Sequence, residues 1–306
     1  TYSIFFPASH GHTLLATEWA QEVEKRSNGA VKINIFPGAT LTPADQSYDG
    51  VVKGISDMAM GVLSYVKGRF PLCEVLDLPL GYQSGLEATG LSNAFFQKFQ
   101  PRELGDTKLM YLHAHGPGIL HTKDPVQNLE QLKGMKVRCT GTSAKIVKAL
   151  GGTPVAMPQT ETYDALQKGL VQGTLTPIEG LKGWKFAEVL SSSTRNMGSS
   201  YSLAFFVVMN KKKWDSLPQQ AQEAIQQVNQ EWIEKTGLAW DQFDQAGQEF
   251  TLARGNKVLE LTAQEDQRWA ALMQPIMEEY VAATQAKGLP GREALDFCLQ
   301  WLKDNR

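Results

Sequence analysis

Residues 135–177 read MKVRCTGTSAKIVKALGGTPVAMPQTETYDALQKGLVQGTLTP, and their apolar spacing switches repeatedly between the periods of strand and helix. The spacing predicts strands at 135–138, 153–156 and 173–177, with helices at 143–150 and 160–169 between them. Such an order implies a mainly parallel sheet flanked by helices, with ligands at the carboxyl ends of its strands. The stretch upstream repeats the scheme: a strand at 2–6, a helix at 12–27 carrying Leu15, Trp19 and Val23, and a strand at 31–36 ending at Pro37-Gly38. A helix at 44–54 and strands at 57–62 and 108–115 follow. The turn-rich segment 116–125 then marks a first crossing into a second lobe.

Downstream, the apolar strand 204–209 precedes Leu217-Pro218, after which Ala221, Ile225, Val228, Trp232, Ala239, Phe243 and Phe250 recur with no proline between them. One helix over 218–252 would reach roughly 50 Å at 1.5 Å per residue, longer than one lobe of this size. It should run along both lobes. Helices at 263–287 and 291–303 complete the chain. The fold class expected is therefore α/β, with two lobes that are each a mainly parallel sheet flanked by helices. Lobe I takes 1–122 and 205–248, lobe II takes 123–204 and 249–306, and the hinge crossings fall near 116–125 and 204–210.

The 306 residues exceed what one small core organises. A formal net charge of −2 with interspersed signs offers no basic stripe for nucleic acid or anionic lipid. No apolar run approaches the roughly 20 residues of a membrane span. Cys73, Cys139 and Cys298 are odd in number and far apart, which argues against a disulfide framework or a metal knuckle. The chain enters strand-like residues directly at Thr1 without an initiator Met, which gives the expectation of a secreted product whose signal peptide has been removed.

Arg138 ends the strand 135–138 and is followed by Cys139-Thr140-Gly141-Thr142-Ser143, a strand-to-helix turn rich in capping hydroxyls. A guanidinium facing free N–H groups at such a turn suits a carboxylate, although an arginine at a strand end is more often solvated or ion-paired. No Gly-x-Ser-x-Gly elbow, Walker loop, His-Glu-x-x-His or Gly-x-Gly-x-x-Gly is present, so the reading is a binding protein and not an enzyme. A competing reading takes the pairs His10/His12 and His113/His115 as metal ligands, since neutral imidazoles commonly bind Zn and Cu.

Gly134-Met135-Lys136-Val137-Arg138, Leu150-Gly151-Gly152-Thr153-Pro154-Val155 and the run from Glu161 to Gly173 closely resemble the signature region of the substrate-binding proteins of TRAP transporters, the ATP-independent periplasmic uptake systems. The resemblance extends to Phe36-Pro37, Gly54-Ile55-Ser56-Asp57, Leu78-Pro79 and Asn210 with Leu217-Pro218, and so covers nearly the whole chain. It implies a hinged, monomeric periplasmic receptor without cofactor that closes on a small organic acid and presents it to TRAP membrane subunits. It also implies that Arg138 makes the bidentate salt bridge to the ligand carboxylate, with Gln159 and Thr176 on the pocket wall. In sialic-acid-binding members a second arginine matches Gly118 here, and an asparagine matches Thr176. With that cation and amide replaced, and with Tyr65, His113, His115, Trp184 and Phe206 within reach, the expected ligand is a less polar aromatic or branched monocarboxylate.

Overall fold

The computed structural model describes residues 1–306. Its strands in chain order are β1 (Tyr2–Ile4), β2 (Ile35–Phe36), β3 (Met58–Val62), β4 (Thr107–Ala114), β5 (Gly118–Thr122), β6 (Lys136–Cys139), β7 (Thr153–Ala156), β8 (Gly173–Pro177), β9 (Ser192–Arg195), β10 (Ala204–Asn210) and β11 (Lys257–Glu260). They form two sheets, ordered β2-β1-β3-β10-β4 in the first lobe and β11-β9-β5-β8-β6-β7 in the second. Each sheet is parallel where strand–helix–strand units build it, as in β2-β1-β3 and β8-β6-β7. Each is antiparallel where a strand enters from the other lobe, as with β10 beside β3 and β4, and β5 beside β8 and β9.

The chain passes between the sheets at 115–117 and 196–203. These crossings run side by side, joined by an antiparallel bridge in which the Gly118 N–H donates to the Tyr201 carbonyl at 2.7 Å. Ser202 Oγ donates to the His115 carbonyl at 2.7 Å beside it. Strand β5 lies inside the segment whose turn residues suggest only a loop. All five of its residues are buried, so both faces are covered and no alternation marks the strand in the sequence. The strand expected over 31–36 shortens to Ile35–Phe36 for a related reason, since only its last residues reach β1.

The helices are α1 (Gly11–Arg26), α2 (Ser47–Val52), α3 (Gly85–Phe99), α4 (Leu129–Leu132), α5 (Thr142–Ala149), α6 (Gln159–Gln167), α7 (Gly180–Gly183), α8 (Lys211–Asp215), α9 (Gln219–Ala253), α10 (Ala263–Ala271), α11 (Gln274–Gln285) and α12 (Gly291–Asp304). The apolar period over 263–287 is shared by two helices, because Pro275 lacks the N–H needed to continue α10 and instead opens α11. The last helix, α12, packs on α3, and Arg306 pairs with Glu87 there at 2.6 Å.

At 35 residues α9 is about 52 Å long, and it touches α1, α3 and β4 of the first lobe and α7 and β11 of the second. Trp19 Nε1 donates to Asn229 Oδ1 at 3.0 Å, which ties α1 to it. Two carboxylates three residues apart on α9 then serve different lobes. Asp241 accepts the Gly85 N–H at the start of α3 at 2.6 Å, and Asp244 accepts the Glu179 N–H just before α7 at 2.9 Å. Gly247 makes the second approach possible, since a Cβ there would stand 2.4 Å from the Ile178 carbonyl oxygen.

Gly247→Ala should therefore destabilise the protein by about 1–3 kcal/mol in thermal or urea unfolding, through the clash with backbone. Helix propensity alone would stabilise it by up to about 1 kcal/mol. A rise in melting temperature would show that the second lobe does not rest on α9 at this point.

Candidate functional site

The carboxyl ends of β1, β3, β6 and β8 converge between the lobes, as the topology of open α/β sheets requires. There the chain leaves a small cavity of about 30 Å3, room for a water or two in this closed arrangement, so a ligand enters only as the lobes part. Phe5 and Phe6 follow β1 directly, Tyr65 follows β3, His115 follows β4 and Phe205 stands at the start of β10. Trp240 enters from α9. The second lobe contributes Arg138 from β6, Gln159 from the first turn of α6, Thr176 from β8, and Glu179 and Trp184 from either end of α7.

Arg138 is 2% exposed, and no carboxylate of the chain forms a salt bridge with it. Its Nε and Nη2 donate to the Met157 carbonyl at 3.0 and 2.9 Å, and its Nη1 donates to Gln159 Oε1 at 2.5 Å. A guanidinium has five N–H donors, so one on each terminal nitrogen remains, the number that a bidentate carboxylate accepts. Gln159 is oriented in turn: its Nε2 donates to Thr176 Oγ1 at 3.0 Å, which leaves the Thr176 hydroxyl hydrogen free to donate into the cavity. The Gln159 N–H donates across the cleft to the Tyr65 hydroxyl at 3.1 Å. The arginine is thus held rigid by one lobe and by a neighbour that the other lobe touches.

The walls are mostly rings. Phe5 and Phe6 stack with centroids 4.3 Å apart, and Phe5 faces Trp184 of the opposite lobe at 6.2 Å with planes 17° apart. Glu179 brings a carboxylate to the cavity and stands 2.8 Å from His10 Nε2 of the first lobe, both side chains being buried. His10 Nδ1 accepts the His12 N–H, so the neutral ring carries its proton on the nitrogen that faces Glu179.

Of the residues expected from sequence at the pocket, Arg138, Gln159, Thr176, Tyr65, His115 and Trp184 line the cavity, while His113 and Phe206 do not. Register explains the absence of Phe206, and cover by Phe205 and Trp240 explains that of His113, which lies on the cavity face. Along β10 successive side chains alternate faces, so Phe205 points to the cavity and Phe206 packs edge-on to Tyr48 on the far side of the sheet, at 5.2 Å. His113 pairs directly with Phe205, and its Nδ1 accepts from Trp240 Nε1 at 3.0 Å behind the wall. Phe5 and Phe6 could have been found from their place just past a parallel strand. Tyr201, Trp240 and Glu179 carry no such sequence signal, because a hinge, a spanning helix and a short turn bring them in.

The four paired histidines do cluster, with ring centroids 5.7 Å apart for His10/His12 and 5.4 Å for His12/His113. However, no group of three or more His, Cys, Asp or Glu side chains is arranged to hold a metal ion. The rings of His10, His12 and His113 pack among Phe6, Trp240 and Phe243 as core, and that of His115 reaches the cavity wall.

Two α/β lobes joined by paired crossings and a spanning helix, with a single buried cation in a ring-lined cavity between them, define a two-lobed solute receptor. Residues 2–284 match the profile of bacterial extracellular solute-binding protein family 7, and the chain belongs to that family of TRAP solute-binding proteins. It is similar to a TRAP periplasmic solute-binding protein from Desulfovibrio salexigens, solved as an open complex: 32% identity, 100% of this chain and 95% of that chain, TM-score 0.88. It is similar also to a marine-metagenome TRAP protein specific for aromatic acid ligands, solved with metahydroxyphenylacetate: 26% identity, 99% and 98% coverage, TM-score 0.95. A third, from Rhodoferax ferrireducens, was solved with copurified benzoate: 26% identity, 99% and 97% coverage, TM-score 0.94. Members of the family are periplasmic receptors, not enzymes, that bind small organic acids and work with TRAP membrane subunits. No helix of this chain is long and apolar enough to cross a membrane.

Burial pushes His113 down to about 3 and both His115 and His121 down to about 4, and it drives His12 well below the ordinary imidazole range. The fold therefore uses their neutral forms. Their contribution to stability is complete above pH 6.5 and is lost as pH falls from 6.5 toward 4, because the unfolded rings take up protons first. Nuclear magnetic resonance should find these imidazoles neutral in the folded protein at pH 5, with denaturant midpoints falling steeply below pH 6.5. A ring among them that titrates near 6.5 while the protein stays folded would contradict the burial described.

Proposed function

We propose that this chain captures an aromatic monocarboxylate in the interlobe cleft of a periplasmic receptor and delivers it to TRAP membrane subunits, with Arg138 as the carboxylate anchor. The observation that carries the reading is a buried guanidinium with two free donors and no salt-bridge partner, set among Phe5, Phe6, Phe205, Trp184 and Trp240. An isolated buried charge is costly, and a ligand carboxylate would compensate it while completing the donor set. A flat ring would gain about 25 cal/mol for each Å2 of apolar surface removed from water against such walls. The aromatic acids bound by two of the similar structures agree with this chemistry.

A dicarboxylate fits less well. Glu179 is the other charged side chain lining the cavity, and a second ligand carboxylate would meet it or a ring without a cation. Arg69 is engaged elsewhere with Asp49 and Asp106, and neither Lys182 nor Lys185 lines the space. Gln159, Thr176 and Tyr65 complete the carboxylate end of the proposed site. His115 and Trp184 belong to its walls.

Arg138→Ala should keep the fold and lose about 2–5 kcal/mol of binding, or roughly 30- to 5,000-fold in affinity for benzoate-class acids by calorimetry. Arg138→Lys should recover only part of that, since an ammonium lacks the planar fork. A change within threefold for Arg138→Ala would place the anchor elsewhere.

A thermal-shift panel checks the ligand class. Benzoate, 3-hydroxybenzoate, phenylacetate and mandelate should raise the melting temperature, and succinate, malate and sialic acid should leave it unchanged. Stabilisation by the second group alone would refute the aromatic reading.

A further inference from the structure

His115 is 2% exposed, lines the cavity, and has an Nε2 with no hydrogen-bond partner. Its other nitrogen, Nδ1, lies 2.5 Å from the Gly116 carbonyl oxygen. A carbonyl only accepts, so the proton must sit on Nδ1, and turning the ring over would set a C–H against that oxygen instead. Burial, with Arg138 adding a smaller push in the same direction, holds the ring's titration down to about 4. Nε2 of the neutral ring is therefore a lone pair without a hydrogen, a buried acceptor on a residue that lines the cavity, and nothing in the chain satisfies it.

No neighbouring polar group hydrogen-bonds to Nε2, the free hydroxyls of Thr176 and Tyr65 included. The Tyr201 hydroxyl donates to the Leu175 carbonyl at 3.0 Å, and the two free N–H groups of Arg138 suit a carboxylate. A metal is unsuited, since no second and third ligand stand beside the ring. What suits a lone acceptor in a site already charged for one anion is an O–H group on the ligand.

We infer that the acid this cleft selects carries a hydroxyl in addition to its carboxylate, and that His115 Nε2 accepts from it as a specificity-determining residue. The inference rests on the reading of the cleft as an aromatic monocarboxylate site and names the substituent that the acid bears. An unsubstituted ring would strand the acceptor against an apolar edge, whereas a hydroxyl satisfies both the ligand's donor and the protein's lone pair. The site thus reads two features at once, the carboxylate by charge and the hydroxyl by a fixed tautomer.

Calorimetry on two matched pairs tests it: 3-hydroxybenzoate against benzoate, and mandelate against phenylacetate. The wild-type protein should favour the hydroxylated member by about 10- to 100-fold in one of the pairs. His115→Phe should bring that pair within threefold of each other while still binding the unsubstituted acid. Nitrogen-15 spectra of the unaltered protein should show the neutral Nδ1–H tautomer for His115 and a shift of Nε2 on adding the preferred acid. Equal affinities within both wild-type pairs, or an Nε2–H tautomer, would overturn the inference and leave the monocarboxylate reading intact. A preference that survives in His115→Phe would likewise overturn it and move the acceptor to Glu179. No binding of any of the four acids would sink the monocarboxylate reading, and the inference with it.

Discussion

A guanidinium withdrawn from water with no carboxylate beside it makes the closed cleft conditional on what occupies it. Arg138 is fixed by the Met157 carbonyl and by Gln159, so it can neither swing out to solvent nor find an internal partner without breaking those bonds. In an open arrangement water can hydrate the group. In the arrangement described here, with Tyr65 against Gln159 and His10 against Glu179, the desolvation cost stands uncompensated until an anion enters. Affinity and closure are then two views of one free energy, because a ligand shifts the lobes only by its preference for the closed state.

The rest of the architecture serves to bring that cation to face rings on the other lobe. Asp241 and Asp244 sit three residues apart on α9 and hold the start of α3 and the approach to α7. They fix both lobes to one rigid rod within a single helical turn of each other. The bridge between Gly118 and Tyr201 joins the two crossings, and the first of them passes beside this stretch of α9, where a Cβ on Gly116 would clash with the Asp244 carboxylate.

Much of this was legible in the residues. Helical period without proline foretold α9, and the strand–helix alternation of 135–177 foretold β6, β7 and β8 with Arg138 at the strand end facing the cleft. What remained hidden has physical causes. Strand β5 is covered on both faces and has no alternation, and it lies among turn residues that read as a loop. Phe206 was expected at the wall where Phe205 stands, since a strand whose seven residues are nearly all apolar does not disclose which face is which. Trp240, Tyr201 and Glu179 reach the cavity through tertiary geometry that local pattern does not encode.

The packing at the hinge also bears on how such a receptor can change over evolutionary time. Gly118 is the position at which the resemblance to sialic-acid-binding members would put a second arginine. Here the Tyr201 ring occupies that space, with a ring carbon 2.3 Å from where any side chain would begin. A single replacement at 118 would collide with a residue that also lines the cavity and bonds the Leu175 carbonyl. Acquiring a cation at this position therefore requires a change at Tyr201 as well as at Gly118.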